Sequence, residues 1–219
     1  MTASSDLSCT DFARNLVANG ALSLRPHLLA EPPSLPLAPA RSDYDLNPEL
    51  RPATPQTLRP AAVLIPIIAR TEPTVLFTRR TDHLSRHAGQ VSFPGGRAEA
   101  DDRSLVETAL RETHEEIGIT EEYISVAGFL DAHETGTGYA ILPVVGVLRE
   151  GFAVVPEVNE VAEIFEVPLG FLLDPANHEL RSAEWQGRKR DFYAFTYNGH
   201  YIWGATAAIL VNFRNRLAK

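Results

Sequence analysis

One cysteine, Cys9, and one methionine stand among 219 residues. A lone thiol excludes an internal disulfide framework and any multi-cysteine zinc site. Basic charge is also short, since 20 Lys and Arg face 28 Asp and Glu for a formal net charge of −8. General nucleic-acid binding calls for the opposite balance. No apolar run reaches the ~18 residues of a membrane span. The N-terminal stretch carries Asp6 and Asp11 and no continuous apolar segment, so no secretory signal is read there. What is present, 44% hydrophobic and 22% charged residues, is ordinary for a globular chain. The expectation is a soluble protein of a reduced compartment, the cytoplasm by default, with neither nucleic acid nor membrane as partner.

Proline divides the chain. Nine of its sixteen prolines fall between Pro26 and Pro60, which excludes a long helix or a central strand there. Residues 1–59 are read as a short helix, from about Asp11 to Ala18 with Thr10 as its cap, followed by a Pro-rich arm over the domain surface or a mobile linker. The helix is expected to serve packing or a homodimer contact. Residues 60–219 are read as the compact domain. Ala61–Ala69 is almost continuously apolar and predicts a buried strand bent at Pro66. Further strands are expected at Thr74–Thr78, Ile124–Leu130, Ile141–Leu148, Glu163–Val167 and Phe192–Tyr197. A closing helix is expected at Ala205–Leu217, with Ala208, Leu210, Val211 and Phe213 facing the core. Strands mixed with two or three helices indicate an α/β or α+β layered domain.

The stretch from Phe93 to Ile119 carries the chemistry. Ser104-Leu-Val-Glu107 has capping-box spacing and predicts a helix start, and Gly118 is suited to end it in a left-handed turn. With Glu112 at 0° and ~100° per residue, Glu116 falls at about 40° and Glu115 at about 300°. Val106, Leu110, Thr113 and Ile117 fall at roughly 100–160° and are read as the buried stripe, with the three carboxylates on another side. Nine acids lie between Glu99 and Glu122, against Arg103 and Arg111 within that stretch and Arg97 just before it. Clustered carboxylates repel one another, and a divalent cation among them offsets that cost. Mg²⁺ suits the arrangement, because it takes a few carboxylates plus waters and substrate phosphates. The preceding Pro94-Gly-Gly96 loop lets backbone approach a ligand closely.

Arg111-Glu-Thr-His-Glu-Glu-Ile-Gly-Ile119 resembles the second half of the Nudix box, Arg-Glu-U-x-Glu-Glu-x-Gly-U with U aliphatic, and Gly95-Gly96 resembles its first half. The interval from Gly96 to Arg111 is one residue longer than in the usual box, Asp102 stands where Glu is usual, and Thr113 occupies an aliphatic position. Leu76-Phe-Thr-Arg-Arg-Thr-Asp-His-Leu-Ser-Arg-His-Ala-Gly-Gln-Val-Ser-Phe-Pro-Gly-Gly96 resembles the second signature of the coenzyme A pyrophosphatase branch. Thr78, Arg80, Gly89 and Phe93–Gly96 match it, while Ser85 replaces an arginine with Arg86 beside it. The resemblance extends over about residues 60–215.

The resemblance implies a Nudix-type α/β/α sandwich with a mixed sheet. It also implies that Glu112 and Glu116 ligate Mg²⁺ or Mn²⁺, with Gly96 offering its carbonyl and Glu115 acting as a third ligand or orienting water. Arg111 is expected to hold loop to helix through Asp101 or Asp102, with substrate binding as the alternative. Arg80, Arg86, His87 and Arg97 are the substrate-binding candidates, since guanidinium forks suit phosphate oxygens. His87 reads equally as a structural donor. Strand alternation puts Arg79 on the face opposite Arg80. Glu160, ahead of Glu157, is the candidate general base, in a loop that supplies one in several Nudix enzymes. Tyr139, Phe192 and Trp203 read as core or wall rather than as stacking platforms. The implied reaction is metal-dependent hydrolysis of the diphosphate of coenzyme A or acyl-CoA to 3′,5′-ADP and 4′-phosphopantetheine or its acyl form. The partner is thus a small nucleoside diphosphate derivative. ADP-ribose or NADH-like substrates, and a non-catalytic Nudix-fold ligand sensor, remain as alternatives.

Overall fold

The structure is a computed structural model, and the residues described are 15–16, 18–83, 87–185 and 187–218. A nine-stranded mixed sheet holds β1 (Arg41–Ser42), β2 (Arg59–Ile68), β3 (Thr74–Arg80), β4 (Val91–Ser92), β5 (Gly95–Arg97), β6 (Ile124–Phe129), β7 (His133–Glu134), β8 (Tyr139–Leu148) and β9 (Val161–Pro168). Its order is β1-β7-β8-β2-β3-β4, with β5 added to β2, β6 to β8 and β9 to β3. A three-stranded antiparallel sheet holds β10 (Glu179–Trp185), β11 (Arg188–Tyr197) and β12 (His200–Trp203). The helices are α1 (Ala21–Leu24), α2 (Leu105–Ile117), α3 (Leu169–Leu173) and α4 (Ala205–Leu217).

The parallel pair β2–β8 is the spine, in register from Arg59↔Tyr139 to Ile68↔Leu148. Both strands are nearly all apolar because both faces are covered. Ala62, Leu64, Leu142 and Val144 pack on Leu105 and Ala109 of α2. On the opposite face Ile65, Ile67 and Val145 join Leu210 and Phe213 of α4, together with Phe195 and Ile202 from the small sheet. The result is an α+β sandwich with α2 on one side and α4 with the small sheet on the other.

Pro66 lies inside β2, and the ladder with β8 runs through it at Pro66↔Gly146. On its other side β2 changes partner, pairing with β5 at 61–63 and with β3 at 67–68. Between them the Leu64 N–H goes to the Pro94 carbonyl at 2.8 Å. Pro66, two residues on, faces the same gap, where no ladder donor is needed. The proline therefore sits where the sheet splits on that side of β2.

Several boundaries differ from expectation. The strand expected at 192–197 begins at Arg188 and sits in a sheet with β10 and β12, neither of which was anticipated. In α4 the buried residues are Ala207, Ile209, Leu210, Asn212 and Phe213, while Ala208 and Val211 are only half-buried. The expected N-terminal helix and its Thr10 cap lie mainly outside the described residues, with Asn15, Leu16, Ala18 and Asn19 helical. The arm is fixed to the domain. Leu24 is fully buried, Leu29 bridges Phe129, and β1 pairs with β7. Asp43 accepts from His133 Nε2 at 2.9 Å, the Gly136 N–H at 2.9 Å and Arg190 Nη2 at 2.8 Å. Asn47 Nδ2 donates to the Asp191 carbonyl at 2.8 Å, and its Oδ1 accepts the Asp191 N–H at 2.7 Å. These contacts tie the arm to both sheets at once.

Candidate active site

The Pro94-Gly-Gly96 loop is set by aromatic packing and by absent side chains. Phe93 is buried and stacks on Phe77 at 5.1 Å between ring centroids, which fixes the loop's start. Gly95 has φ +151°, and a Cβ there would sit 2.6 Å from Val63 Cα. A Cβ at Gly96 would lie 2.5 Å from both carboxylate oxygens of Glu112. Only glycines let this loop lie between β2 and the helix.

The helix follows with Ser104 as cap, its Oγ accepting the Glu107 N–H at 3.2 Å, and ends at Gly118 with φ 75°. The Glu107 carboxylate reaches back to the Arg103 N–H at 2.7 Å rather than to Ser104. The buried residues of α2 are Leu105, Thr108, Ala109, Thr113, Glu116 and Ile117, with Val106 and Leu110 only half-buried. Thr113 and Ile117 are buried as expected, while Val106 and Leu110 give way to Leu105 and Ala109. The buried arc is centred on the Glu112–Glu116 line, so those carboxylates point into the molecule against the glycine loop.

Glu116 is 5% exposed and accepts the Gly95 N–H at 3.3 Å on Oε2. Arg80 Nη1 stands 3.7 Å from its Oε1, and the buried Arg80 Nε has no partner among the described residues. Desolvation pushes the Glu116 pKa up to about 8, with Glu112 and Glu160 adding to the rise and the Gly95 N–H and Arg80 opposing it. Glu112 is raised too, again chiefly by desolvation.

Arg111 ties the acids together. It donates to Asp102 through Nε at 2.9 Å and Nη2 at 3.0 Å, to Glu112 at 3.0 Å, to Glu115 at 2.9 Å and to the Arg97 carbonyl at 3.3 Å. The guanidinium bonds hold Asp102 well below the usual carboxylate range. Thr108, which the sequence reading did not single out, donates its hydroxyl to Asp102 at 2.8 Å. Its signal is the i, i+4 spacing from Ser104 on the buried side. Glu115 is 57% exposed and is held by Arg111 rather than gathered with Glu112 and Glu116.

The 152–160 loop closes over the helix end. Val155 N–H donates to the Ile117 carbonyl and Glu157 N–H to the Glu116 carbonyl, both at 2.9 Å. The Glu157 side chain is engaged by Asn159, whereas Glu160 is exposed and its charge is felt by both Glu112 and Glu116. His87 is exposed with φ 58° and its Nδ1 lies 2.7 Å from Gln90 Oε1. Arg97 is exposed, and its side chain has no ion pair among the described residues. Arg86 lies outside the described residues. Arg79 is engaged on the other face by Glu163 at 3.1 Å.

Among the described residues no three acidic, histidine or cysteine side chains converge as a ready metal cage. Arg111 supplies positive charge between Glu112 and Glu115. Glu112 and Glu116 still fit a divalent cation, because both are desolvated carboxyl groups, whose ionised form a cation would stabilise, facing a cradle that a Cβ at Gly96 would fill. Two carboxylates with remaining sites left to water and phosphate is the coordination Mg²⁺ prefers.

A family model described as the NUDIX domain matches residues 58–189. Proteins described as "Uncharacterized Nudix hydrolase NudL" from Yersinia pestis (strain Pestoides F) and Yersinia pseudotuberculosis (strain IP 31758) are each 44% identical over 154 residues, covering 70% of this chain and 77% of theirs. The solved structure of a MutT/nudix family protein from Enterococcus faecalis is 15% identical with a TM-score of 0.46, covering 77% of this chain and 65% of that one. Among the described residues no helix is long and apolar enough to cross a membrane. From the domain match and the length and identity of the sequence relationship, the chain belongs to the Nudix hydrolase family.

Proposed function

We propose that the protein hydrolyses the diphosphate of coenzyme A or acyl-CoA, releasing 3′,5′-ADP and 4′-phosphopantetheine or its acyl form. The observation that carries a diphosphate substrate is the pair of desolvated carboxylates, Glu112 and Glu116, seated against Gly95-Gly96 with Arg80 alongside. Preference for coenzyme A rests on the Leu76–Gly96 stretch, whose Thr78, Arg80, Gly89 and Phe93–Gly96 match the signature of that branch.

Glu112 and Glu116, with the Gly96 carbonyl, would hold the Mg²⁺ or Mn²⁺, which supplies charge neutralisation at the diphosphate and a more acidic water. Arg80 and Arg97 bind phosphate oxygens. Arg111 fixes Glu112 and Glu115 in angle. Glu160, exposed at the rim and close enough to perturb both carboxylates, takes the proton of the attacking water. Attack at phosphorus is in line and needs no covalent enzyme intermediate.

The test is chromatographic analysis of coenzyme A incubated with the purified protein in Mg²⁺, in Mn²⁺ and in EDTA. Metal-dependent release of 3′,5′-ADP is expected. A folded sample that yields no product with either metal overturns the reading, and ADP-ribose and NADH are then the substrates to assay.

A further inference from the structure

Arg59, Tyr139 and Arg97 share one face of the nine-stranded sheet. Arg59 pairs directly with Tyr139 across the parallel ladder, and Ala61 pairs with Arg97 across the antiparallel one. Side chains directly opposite, or two apart along a strand, project from the same face. Val63 and Ile141, half-buried, belong to that face as well and give it an apolar floor. Gly96, against which Glu112 packs, is one residue from Arg97. Among the described residues strand β5 pairs with β2 alone, and its outer edge is met by side chains of α2, with Arg111 donating to the Arg97 carbonyl. At that edge the Gly95 N–H reaches Glu116 rather than another strand. Strand β5 thus carries Gly95 and Gly96 against the carboxylates on the α2 side and Arg97 on the opposite face. Arg59 lies two residues beyond the position opposite Arg97, a displacement of about 7 Å along the strand.

The side chains on this face are arranged for an aromatic anion. The Arg59 guanidinium lies over the Tyr139 ring, 4.0 Å from its centroid, and donates to the Thr137 carbonyl at 3.1 Å. Tyr139 is half-buried under it. Neither Arg59 nor Arg97 has a carboxylate partner among the described residues, whereas Arg51, Arg79, Arg103, Arg111, Arg190 and Arg216 all do. In a chain with net charge −8, Arg59 and Arg97 are two of several arginines for which the described residues supply no carboxylate, and these two share one face. A stacked guanidinium keeps its in-plane N–H donors for phosphate and its outer face for a planar ring.

We infer that Arg59, Arg97 and Tyr139 form the subsite for a nucleoside 3′-phosphate, with the phosphomonoester between the two guanidiniums and the base against the Arg59–Tyr139 stack. The inference rests on the coenzyme A reading for its substrate but is tested without turnover. Titration calorimetry compares adenosine 3′,5′-bisphosphate with AMP on the wild type and on Arg59→Gln and Arg97→Gln, each checked for folding by thermal melting. The wild type is expected to bind the bisphosphate ~tenfold more tightly or better, with each variant losing most of that ratio. Arg149→Gln, which sits over Tyr123 at the far end of β8, should leave the ratio as it is. Equal binding of the two nucleotides by the wild type, or an unchanged ratio in both variants, overturns the subsite. If Arg59→Gln fails to fold, the exposed Arg97 carries the test. Discrimination without hydrolysis of coenzyme A would keep the subsite and remove the proposed reaction, and hydrolysis without discrimination would do the reverse.

Discussion

The carboxylate of Glu112 occupies the space that a side chain at Gly96 would need, 2.5 Å from an ideal Cβ to both oxygens. The loop and the helix are thereby built around one another, and the glycine is required by contact rather than by left-handed backbone. Gly96→Ala should displace Glu112 and lower kcat by ~10²-fold, the cost of about an ångström of misplacement. Steady-state kinetics beside a circular dichroism spectrum decide it. Wild-type turnover in a folded variant would show that the position of Glu112 does not matter.

Burial disfavours the ionised form of Glu116, and a cation beside it should offset that cost. Adding Mg²⁺ at about 100 times its dissociation constant should stabilise the wild type by about 2.7 kcal/mol. Glu116→Gln keeps the shape of the side chain and removes the charge, so its melting temperature should no longer respond to Mg²⁺ or to EDTA. An equal metal-induced shift in both proteins would place the ion elsewhere.

Arg111 spreads its donors over Asp102, Glu112, Glu115 and the Arg97 carbonyl. A lysine ammonium cannot reproduce that planar fork. Arg111→Lys should cost about 1–3 kcal/mol of stability through unsatisfied acceptors, and it should reduce kcat more than it raises KM. Denaturant unfolding and initial rates measure the two effects separately.

Asp43 joins the arm to His133, Gly136 and Arg190. Burial works against its ionisation, yet the His133 bond and charge, the Gly136 N–H and Arg190 outweigh it and hold the pKa below 3.8. A depressed carboxylate contributes stability that is present above its unfolded pKa and is lost as the pH falls through the folded value. The wild type should therefore lose stability on acidification below about pH 4. Asp43→Asn should be weaker at neutral pH by about 1–3 kcal/mol with a flatter acid slope. Identical slopes in urea melts at successive pH values would remove Asp43 from this role.

Much of the site was legible in the chain. The Ser104 cap, the Gly118 stop, the i, i+4 pair Glu112 and Glu116 and the Pro-Gly-Gly loop are local features, governed by neighbours within a few residues. So were the apolar β2 and β8, since strands covered on both faces read as continuous runs. The small sheet was less legible, because β10 and the start of β11 are largely polar and are strands only through each other.

What the sequence by itself determined was the acidic helix, the loop before it and the family to which they point. Tertiary structure decided which way the helix faces. Apolar periodicity suggested Val106 and Leu110 as inward, but packing on Ala62, Leu64 and Leu142 draws in Leu105 and Ala109 instead. That rotation carries Glu112 and Glu116 inward with them. Tertiary structure also decided that Asp102 rather than Asp101 receives Arg111, that the arm is bound at Asp43 and Asn47, and that Arg59 meets Tyr139. The arm and Arg59 contacts join residues distant in sequence, and their distances follow from strand register and layer packing, which no local window encodes.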